Sequence, residues 1–558
     1  MTTRLVAVPV DLAVNCATAP HPDPLPQGRE RGSSRASVLV LGMLCLAGCS
    51  APIGPGDAGT GGGGVATGGG ATGATGGGGA TGGGGATGGG GATGGGGATG
   101  GGNATGGGGT TGGGGVVVGP DYFVSTSGND MNAGTMAAPF RTIQRGVNVA
   151  SPGGGTINVA SGTYTEKVSI TTGTAPLVLR GGGVIIDGTG LSVSNGQQGL
   201  ITIDSRSNLT IEGFELRNFR SMNSAVPLGI YAFGSGSNLT LRNNHIHDIV
   251  TTVGSCNGNG GNAFGLAVYG SDAPAAWTNV VVTGNELDHL TLGCSESLSI
   301  NGNVDGFEVS FNLVHDNDNI GIVAIGFEGT SPMEAYDQAR NGVIRKNTVT
   351  NITSVGNPAY GTDASADGIY VDGGKNILIE QNVVSSADLG IEVASEHSGK
   401  SSAYVLVRTN RISGSRQAGI SLGGYANSVG NADHDVILNN TTADDTVELQ
   451  LQFHVTQVIV QNNLFFSPMS DFISGSVSGV VQVTNVTRAG MMSSTFTGAD
   501  LYPAPAVDLL LRDVGTDFTC PPTWTCPAVW GTALVGTEDA LGDPRVLGGV
   551  IDVGAYEL

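Results

Sequence analysis

Four carboxylic acids and one histidine stand out in two neighbouring segments that share a glycine-led pattern. SADGIYVDGG contains Asp367 and Asp372, and GIEVASEH contains Glu392, Glu396 and His397. Paired carboxyls can protonate a leaving oxygen and activate water, and carboxylates also bind metal ions. We therefore take Asp372, Glu392, Glu396 and His397 as candidate catalytic residues, and Asp367 as a candidate metal ligand.

The two segments belong to a repeat, and this repeat must position the acids. Segments that read glycine, aliphatic, any residue, aliphatic recur from about residue 199 to 475, and they alternate with aliphatic segments that lead into an asparagine. Both kinds have the period of two that half-buried strands show, and their spacing of roughly 22 to 48 residues is too tight for crossover helices. Such strands stack turn on turn into a parallel coil with one continuous core.

The asparagines mark one corner of each turn. Each is followed two positions later by an apolar residue, so its amide faces inward and can hydrogen-bond to the amides of neighbouring turns. The residues concerned are Asn244, Asn285, Asn312, Asn347, Asn382, Asn410 and Asn463. We predict a ladder of amides that satisfies buried turn groups.

With these features the chain resembles secreted bacterial right-handed parallel β-helix proteins of the pectin-lyase-like type. PFRTIQRGVNVA at 139–150 resembles their N-terminal helix, and GDPRVLGGVIDVGAYEL at 542–558 resembles their C-terminal signature. The resemblance implies an all-β fold, a right-handed parallel β-helix (a single-stranded solenoid) over residues 119–558, with an N-terminal capping helix and a C-terminal cap. It also implies action on polysaccharides.

One motif departs from the family pattern. NVDGFEV at 303–309 resembles part of a calcium-dependent pectate-lyase motif. The acidic cluster that should follow one turn later is absent, because the sequence there reads NDNIGIV, and the lysine base of the motif has no clear counterpart. The motif therefore does not assign pectate-lyase activity.

The repeat allows a geometric test of the acids. In each glycine-led segment the second and fourth residues after the glycine point outward, which applies to Asp372 and Glu392. They lie one turn and two residues apart, so their Cα atoms are about 8 Å apart at about 4.8 Å per strand and 3.3 Å per residue. This approaches the separation of about 6.5–9.5 Å between the carboxyl groups of inverting glycosidases. The same acids could instead bind calcium beside a uronate, with Lys, Arg or His as the base for β-elimination.

Aromatic residues and an insertion lie near the same face. Sugars stack on aromatic rings, so Tyr360, Tyr370 and Tyr425 are predicted to bind substrate. Arg340 in the insertion could clamp a substrate carboxylate, balance the acids, or pair with Asp337. Three further turns carry adjacent His and Asp residues, which could form acid–base pairs or bind a metal, or could serve only as turn residues: His247 and Asp248, Asp288 and His289, and His315 and Asp316.

The N-terminal region carries an export signal and a tether. Residues 1–49 combine arginines, a short apolar run and LAGC, which resembles a bacterial lipobox with lipidation of Cys49. Residues 50–118 are almost entirely Gly, Ala and Thr, which favours a disordered linker. We expect an exported protein, lipid-anchored at the outer membrane or cell surface of a Gram-negative bacterium.

Charge and cysteines limit the partners and the compartment. The net charge is −22, which argues against nucleic acid as a partner. An even set of four cysteines remains after the leader and Cys49, and in an oxidising compartment it predicts two disulfides, Cys256–Cys294 and Cys520–Cys526.

Three functions remain open from the sequence. The first is an anchored enzyme, hydrolase or lyase, that binds and cleaves an extracellular polysaccharide. The second is a non-catalytic carbohydrate-binding or adhesive protein, and the third is a structural surface spacer. We expect a monomer whose partner is a polysaccharide or another surface glycan, and calcium is the one cofactor that the acids suggest.

Overall fold

The computed structural model describes residues 119–256, 261–466, 471–473, 476–487, 496–497, 501–503 and 510–558. The predicted signal peptide of residues 1–49, with Cys49, and the predicted linker of residues 50–118 lie outside the described residues. Within the part of the chain that is described, no helix has the length and apolar character needed to cross a membrane.

The described residues form one α-helix, two short 3-10 helices and many strands. The first strands and the helix are, in chain order, β1 Asp121–Val124, α1 Ile143–Ala150, β2 Gly155–Val159, β3 Gly162–Tyr164, β4 Val168–Ile170, β5 Leu177–Asp187, β6 Gln197–Asp204, β7 Leu209–Ser221, β8 Val226–Gly234, β9 Gly236–Arg242, β10 His245–Thr251, β11 Phe264–Gly270, β12 Trp277–Thr283, β13 Glu286–Asp288, β14 Leu298–Gly302, β15 Val304–Ser310, β16 Leu313–Asn317, β17 Ile322–Ile325, β18 Arg340–Arg345 and β19 Thr348–Ile352. The remaining strands are β20 Asp367–Asp372, β21 Lys375–Glu380, β22 Val383–Ala387, β23 Leu389–Ala394, β24 Ser401–Arg408, β25 Arg411–Ser413, β26 Ala418–Leu422, β27 Asn431–Asp433, β28 Val436–Leu438, β29 Thr441–Ala443, β30 Val447–Leu451, β31 Val455–Thr456, β32 Ile459–Gln461, β33 Leu464–Phe466, β34 Asp471–Ile473, β35 Val477–Ser478, β36 Val481–Val483, β37 Val486–Thr487, β38 Phe496–Thr497 and β39 Tyr502–Pro503. The 3-10 helices are Glu334–Tyr336 and Ala528–Trp530.

The strands stack in parallel into a right-handed β-helix, as predicted. Ladder I is an 11-stranded sheet in the order β34, β30, β26, β23, β20, β17, β14, β11, β8, β6, β4. Ladder II runs through β9, β12, β15, β18, β21, β24, β28, β32 and β36. Ladder III runs through β10, β13, β16, β19, β22, β25, β29, β33 and β37. The long strands β5 and β7 join the second and third ladders into one 26-stranded sheet.

The glycine that opens the repeat pattern in most turns of ladder I is required by close packing. In β20, Ile369 and Val371 are fully buried in the core, so the residues between and after them face outward. A Cβ added to Gly368 would lie 2.5 Å from the Val384 side chain and 2.8 Å from the Gly390 carbonyl oxygen. A larger residue would therefore have to displace the core or the neighbouring strand.

The predicted amide ladder is confirmed, and it is longer than predicted. Each side-chain amide donates to the Oδ1 of the asparagine in the next turn at 2.9–3.0 Å. Two members were not predicted, Asn440 and Asn485. Each asparagine lies at the corner between a strand of ladder II and a strand of ladder III. Each aliphatic segment that leads through an asparagine therefore forms two strands.

The predicted capping helix is α1. Its Ile143, Val147 and Ala150 are buried in the core of the first turns. The Thr142 side chain accepts the Arg145 amide at 3.2 Å, which caps the helix N-terminus. The sequence PFRTIQRGVNVA therefore closes one end of the solenoid, where an open end would expose core residues.

The C-terminal segment, predicted as a cap, covers the outer side of ladder II. Trp530 is fully buried, and its indole donates to the Ile377 carbonyl at 3.2 Å. Both predicted disulfides are present: Cys520–Cys526 lies within this segment, and Cys256–Cys294 joins two neighbouring turns. These contacts fix loops and the C-terminus to the strand ladders.

Candidate functional site

A cluster of buried and half-buried acids lies on the outer side of ladder I. We call it the acidic cluster, and its members are Glu296, Glu328, Asp367, Asp372, Glu392 and Glu396, together with His397. They lie on, or directly beside, four consecutive strands: β14, β17, β20 and β23. The outward positions of a regular strand ladder therefore gather carboxyls from distant parts of the sequence.

The strand register confirms the predicted offset between Asp372 and Glu392. Tyr370 pairs with Glu392, and Asp372 pairs with Ala394, so the two acids are one strand and two residues apart. The two acids contact other members of the cluster. Asp372 accepts the Glu396 backbone N–H at 2.8 Å, and Glu392 meets Asp367.

The carboxyl groups of Asp367 and Glu392, on neighbouring strands, lie close enough for each to shift the pKa of the other. Asp367 is 2% exposed, and burial, together with the negative charge of Glu392, raises its pKa well above its ordinary value. Burial raises the pKa of Glu392 to about 7, although hydrogen bonds from Ser421 and Asp367 act in the opposite direction. Burial and the charge of Glu392 therefore favour the protonated form of Asp367.

Further hydrogen bonds hold Glu392 in place. Its Oε1 accepts from the Ser421 hydroxyl at 2.9 Å and from the Gln452 amide at 3.1 Å. Ser421 lies on β26, and Gln452 directly follows β30. Asp367 lies beside this half-buried glutamate, and its role as a metal ligand stays a prediction.

A second group forms around Asp372. This carboxyl is 4% exposed, and burial, with Glu396 and Glu328 nearby, raises its pKa well above its ordinary value. His397 Nε2 lies 3.0 Å from Glu328 Oε1, and this contact raises the histidine pKa. One donor atom each from Glu328, Asp372 and His397 lie within 4.8 Å of one another. This group is the part of the cluster that could hold a metal ion.

Two further acids complete the cluster. Burial raises the pKa of Glu296 to about 8 and that of Glu396 to about 7, and the charge of Glu328 adds to both shifts. Glu296 was missed in the sequence because its turn lacks the usual glycine and has Ser297 in its place. The outward alternation of LSIN, aligned with the neighbouring segments, is the signal that would have found this turn.

Positive charge is scarce in the cluster. Among the described residues, His397 is the one basic side chain that forms an ion pair with these acids. Arg340, predicted to clamp a carboxylate or balance the acids, pairs with Asp305 at 3.1 Å on ladder II. Its other suggested partner, Asp337, instead accepts the backbone N–H groups of Gly329 and Ser331. Arg340 opens β18, a strand of ladder II, and its role in binding substrate stays a prediction.

The predicted aromatic residues lie in different environments. Tyr370 is 4% exposed and packs against Val323, Ile325 and Ala394, so its ring supports the cluster and offers little stacking surface. Tyr360 and Tyr425 are half-buried in the loops that follow β19 and β26. A separate aromatic group does occupy outward positions of ladder I, on β8 and β11: Tyr231, Phe233, Phe264 and Tyr269.

The predicted His–Asp pairs form on ladder III. His247 bonds to Asp248 and His315 bonds to Asp316, each at 2.7 Å, and Asp288 contacts both His245 and His289. Asp248, His289 and Asp316 have positive φ, as expected of turn residues. Both carboxylate oxygens of Asp288 are already used, which favours the structural interpretation of this row.

The fold and the cluster together define a parallel β-helix protein with an acidic outer face. The family description "Protein of unknown function (DUF1565)" matches residues 126–180. The chain is 36% identical to "Uncharacterized protein YwoF" of Bacillus subtilis (strain 168) over 370 residues, covering 64% of this chain and 77% of that protein. The chain therefore belongs to the same family as YwoF.

Two other proteins are also similar to parts of the chain. "Pectate lyase PEL9" of Emericella nidulans is 35% identical over 150 residues, which cover 23% of this chain and 35% of that protein. A solved structure, the "GH136 lacto-N-biosidase from Eubacterium ramulus", matches with a TM-score of 0.47 and 14% identity, covering 66% of this chain and 67% of that one.

Proposed function

We propose that this protein is a carbohydrate-active enzyme that binds an extracellular polysaccharide along ladder I and hydrolyses a glycosidic bond. The observation that carries the proposal is the Asp367–Glu392 pair. Burial raises the pKa of Glu392 to about 7, so this carboxyl can hold a proton for a leaving group near neutral pH. An exposed glutamate, with a pKa of about 4.3, would lack that proton.

Each member of the pair has a distinct role. Glu392 is half-buried and keeps a path to solvent, so it delivers the proton to the glycosidic oxygen. Asp367 lies behind it and stabilises the carboxylate left after proton transfer by donating its own hydrogen bond. Glu396, whose charge acts on Asp367, is the second carboxyl and orients the attacking water.

The aromatic group on β8 and β11 supports a polysaccharide as the substrate. In ladder I, β11 lies three strands from β20 and β8 lies four strands from it. At about 4.8 Å per strand, the aromatic group is about 14–19 Å from β20. Phe233 and Tyr269 are half-buried, so parts of their rings remain accessible. A chain of several sugars could span this distance, with its reacting bond at the acidic cluster and another part of the chain on the aromatic group.

Elimination from a uronate is the second candidate, and the 35% identity to pectate lyase PEL9 over 150 residues favours it. A uronate carboxylate would be repelled by the acidic cluster unless a cation neutralised the charge. Calcium was the ion suggested by the sequence. Hydrolysis of a neutral polysaccharide fits the site better. Among the described residues, His397 is the one basic side chain that forms an ion pair with the acidic cluster.

We also propose that the protein is exported and held at the outer membrane or cell surface by a lipid on Cys49, as a monomer. The lipobox-like LAGC and the glycine-rich tether support the anchor. The two disulfides support an oxidising compartment. Labelling with a radioactive fatty acid, lost on Cys49→Ala, would test the anchor.

The enzymatic proposal is tested by screening the purified protein against neutral and acidic polysaccharides. New reducing ends without absorbance from unsaturated uronates would support hydrolysis, whereas such absorbance would support the lyase. Each substrate is tested with and without chelator and with added calcium. Binding without any product would favour a non-catalytic carbohydrate-binding protein, and neither binding nor product would favour a structural spacer.

A further inference from the structure

We propose that Glu328, Asp372 and His397 form a binding site for a divalent first-row transition metal ion of the Zn²⁺ or Mn²⁺ type. The site lies in the acidic cluster, but the proposal does not rest on the proposed hydrolysis, since metal binding can be measured by itself. Nothing in the family comparisons assigns this site.

The three residues come from three consecutive turns of the solenoid. Glu328 follows β17, Asp372 ends β20, and His397 follows β23. Their donor atoms lie within 4.8 Å of one another. Around a tetrahedral ion with bonds of about 2.0–2.2 Å, neighbouring ligand atoms lie about 3.4 Å apart. Side-chain movements on the order of 1 Å would close the site around an ion.

The second observation is an unsatisfied oxygen that lies inside the group. The Glu328 side chain is 7% exposed, and its Oε1 contacts His397. Its Oε2 is buried and finds no hydrogen-bond partner among the residues that the structure describes. A buried carboxylate oxygen without a donor is costly, and a cation between Glu328 and Asp372 would remove that cost.

The loop that carries Glu328 is held in shape by its own hydrogen bonds. Asp337 accepts the Gly329 backbone N–H at 2.6 Å and the Ser331 backbone N–H at 2.8 Å. These contacts hold the loop in shape without using the Glu328 carboxyl, whose Oε2 has no hydrogen-bond partner among the described residues. Such support of the surrounding loop is typical of metal sites.

The donor set selects the class of ion. Imidazole nitrogen suits Zn²⁺ and neighbouring transition metals, whereas Ca²⁺ takes six to eight oxygen ligands. The His397 side chain is 33% exposed, so an ion can enter from that side and keep water at an open position. Calcium, suggested by the sequence, fits this set less well because one of the three donors is nitrogen.

A second group, His245, Glu286 and Asp288 on ladder III, has similar residue types. Both Asp288 oxygens are already bonded to histidines, and His245 is 38% exposed. This group therefore supplies a control for nonspecific binding to surface histidines.

Isothermal titration calorimetry of chelator-treated protein with ZnCl₂, MnCl₂ and CaCl₂ at pH 7 tests the proposal. We expect one equivalent of Zn²⁺ or Mn²⁺ to bind, and thermal unfolding to shift to higher temperature with that ion. Glu328→Gln and His397→Gln should each weaken binding at least tenfold. Asp288→Asn, the matched control on ladder III, should bind as the wild type does.

Three results would overturn the proposal: no binding of either transition ion, binding lost in Asp288→Asn but kept in His397→Gln, or Ca²⁺ binding as tight as Zn²⁺ and Mn²⁺ binding. Circular dichroism checks the fold of each variant. If both site variants unfold, the wild-type protein is treated with diethyl pyrocarbonate. Protection of His397 by the ion, read by peptide mass mapping, supports the site, and unchanged modification overturns it.

Discussion

The carboxyl groups of Asp367 and Glu392 lie on neighbouring strands of ladder I, close enough for each to shift the pKa of the other. The aspartate is the more deeply buried of the two, which favours its protonated form. Glu392, with a pKa of about 7, is therefore protonated in part of the molecules near neutral pH, whereas an isolated glutamate would be ionised. This relationship separates the acids that can transfer a proton from the group around Asp372 that can bind an ion.

We expect Glu392→Gln to lower the rate of polysaccharide cleavage by about 10²–10⁴-fold, because the amide cannot donate the catalytic proton. The wild-type rate should fall as the pH rises above about 7, where Glu392 loses its proton. Asp367→Asn should reduce the rate less, since an amide can still donate a hydrogen bond to Glu392. Initial rates of reducing-end formation from pH 5 to 9 would measure both effects.

Glu308→Gln is the matched control for this prediction. Glu308 lies on ladder II and pairs with Arg345 at 2.9 Å, away from the acidic cluster. Its replacement should leave the rate and the pH profile unchanged. A Glu392→Gln variant that keeps full activity would contradict the role of Glu392 as the proton donor.

Most of the fold was predictable because each turn repeats a local rule. Two-residue alternation, the opening glycine and the corner asparagine each reflect packing within one turn, and all three are visible in the sequence. Turns that break a rule were missed. Ser297 and Glu448 replace the opening glycine in β14 and β30, and Asn440 occupies a turn that the sequence pattern did not reveal.

The partners of the acids were less predictable than the acids themselves. Alternation correctly placed Asp372 and Glu392 outward, but side-chain length and rotamer decide which neighbour each one meets. Asp367 lies beside Glu392, and Asp372 accepts the Glu396 backbone N–H, and neither contact could be predicted from the strand pattern. Arg340 could not be placed because the insertion ends on ladder II, and no local pattern shows where an irregular loop ends.

Asp435 should make the stability of the protein depend on pH. It is fully buried, its Oδ1 accepts the Val405 N–H at 2.8 Å, and its pKa is raised well above its ordinary value by burial. The folded state keeps this proton at pH values where the unfolded chain, with a pKa of about 3.9, has lost it. The resulting stability is fully present below about pH 4 and is lost as the pH rises through the raised pKa.

Asp435→Asn removes this ionisation. The free energy of unfolding of the variant minus that of the wild type should therefore be about 1–3 kcal/mol larger at pH 8 than at pH 5. Urea denaturation at both pH values measures it. The exposed Asp121→Asn serves as the control and should show no such change. A difference between Asp435→Asn and the wild type that is the same at both pH values would refute the prediction.

Asn382→Ala should destabilise the solenoid by about 2–4 kcal/mol. Its side chain donates to Ile344 and Asn410 and accepts from Asn347, at 2.9–3.0 Å and fully buried, so truncation leaves several partners unsatisfied at about 1–3 kcal/mol each. Urea denaturation measures the loss. Asn148→Ala, on the exposed side of α1, should change stability by less than about 0.5 kcal/mol. Equal effects of the two substitutions would show that the amide ladder contributes little.

The two disulfides should differ in the stability that they confer. Cys256–Cys294 closes a loop with a sequence separation of 38, and Cys520–Cys526 one with a separation of 6. On the chain-entropy model, replacing each pair with serines should cost about 4 and about 2 kcal/mol, because the longer loop restricts the unfolded chain more. The midpoints of urea denaturation of the two double variants provide the comparison. A larger loss for the Cys520–Cys526 variant would mean that this short loop acts mainly through the packing of the C-terminal segment against ladder II.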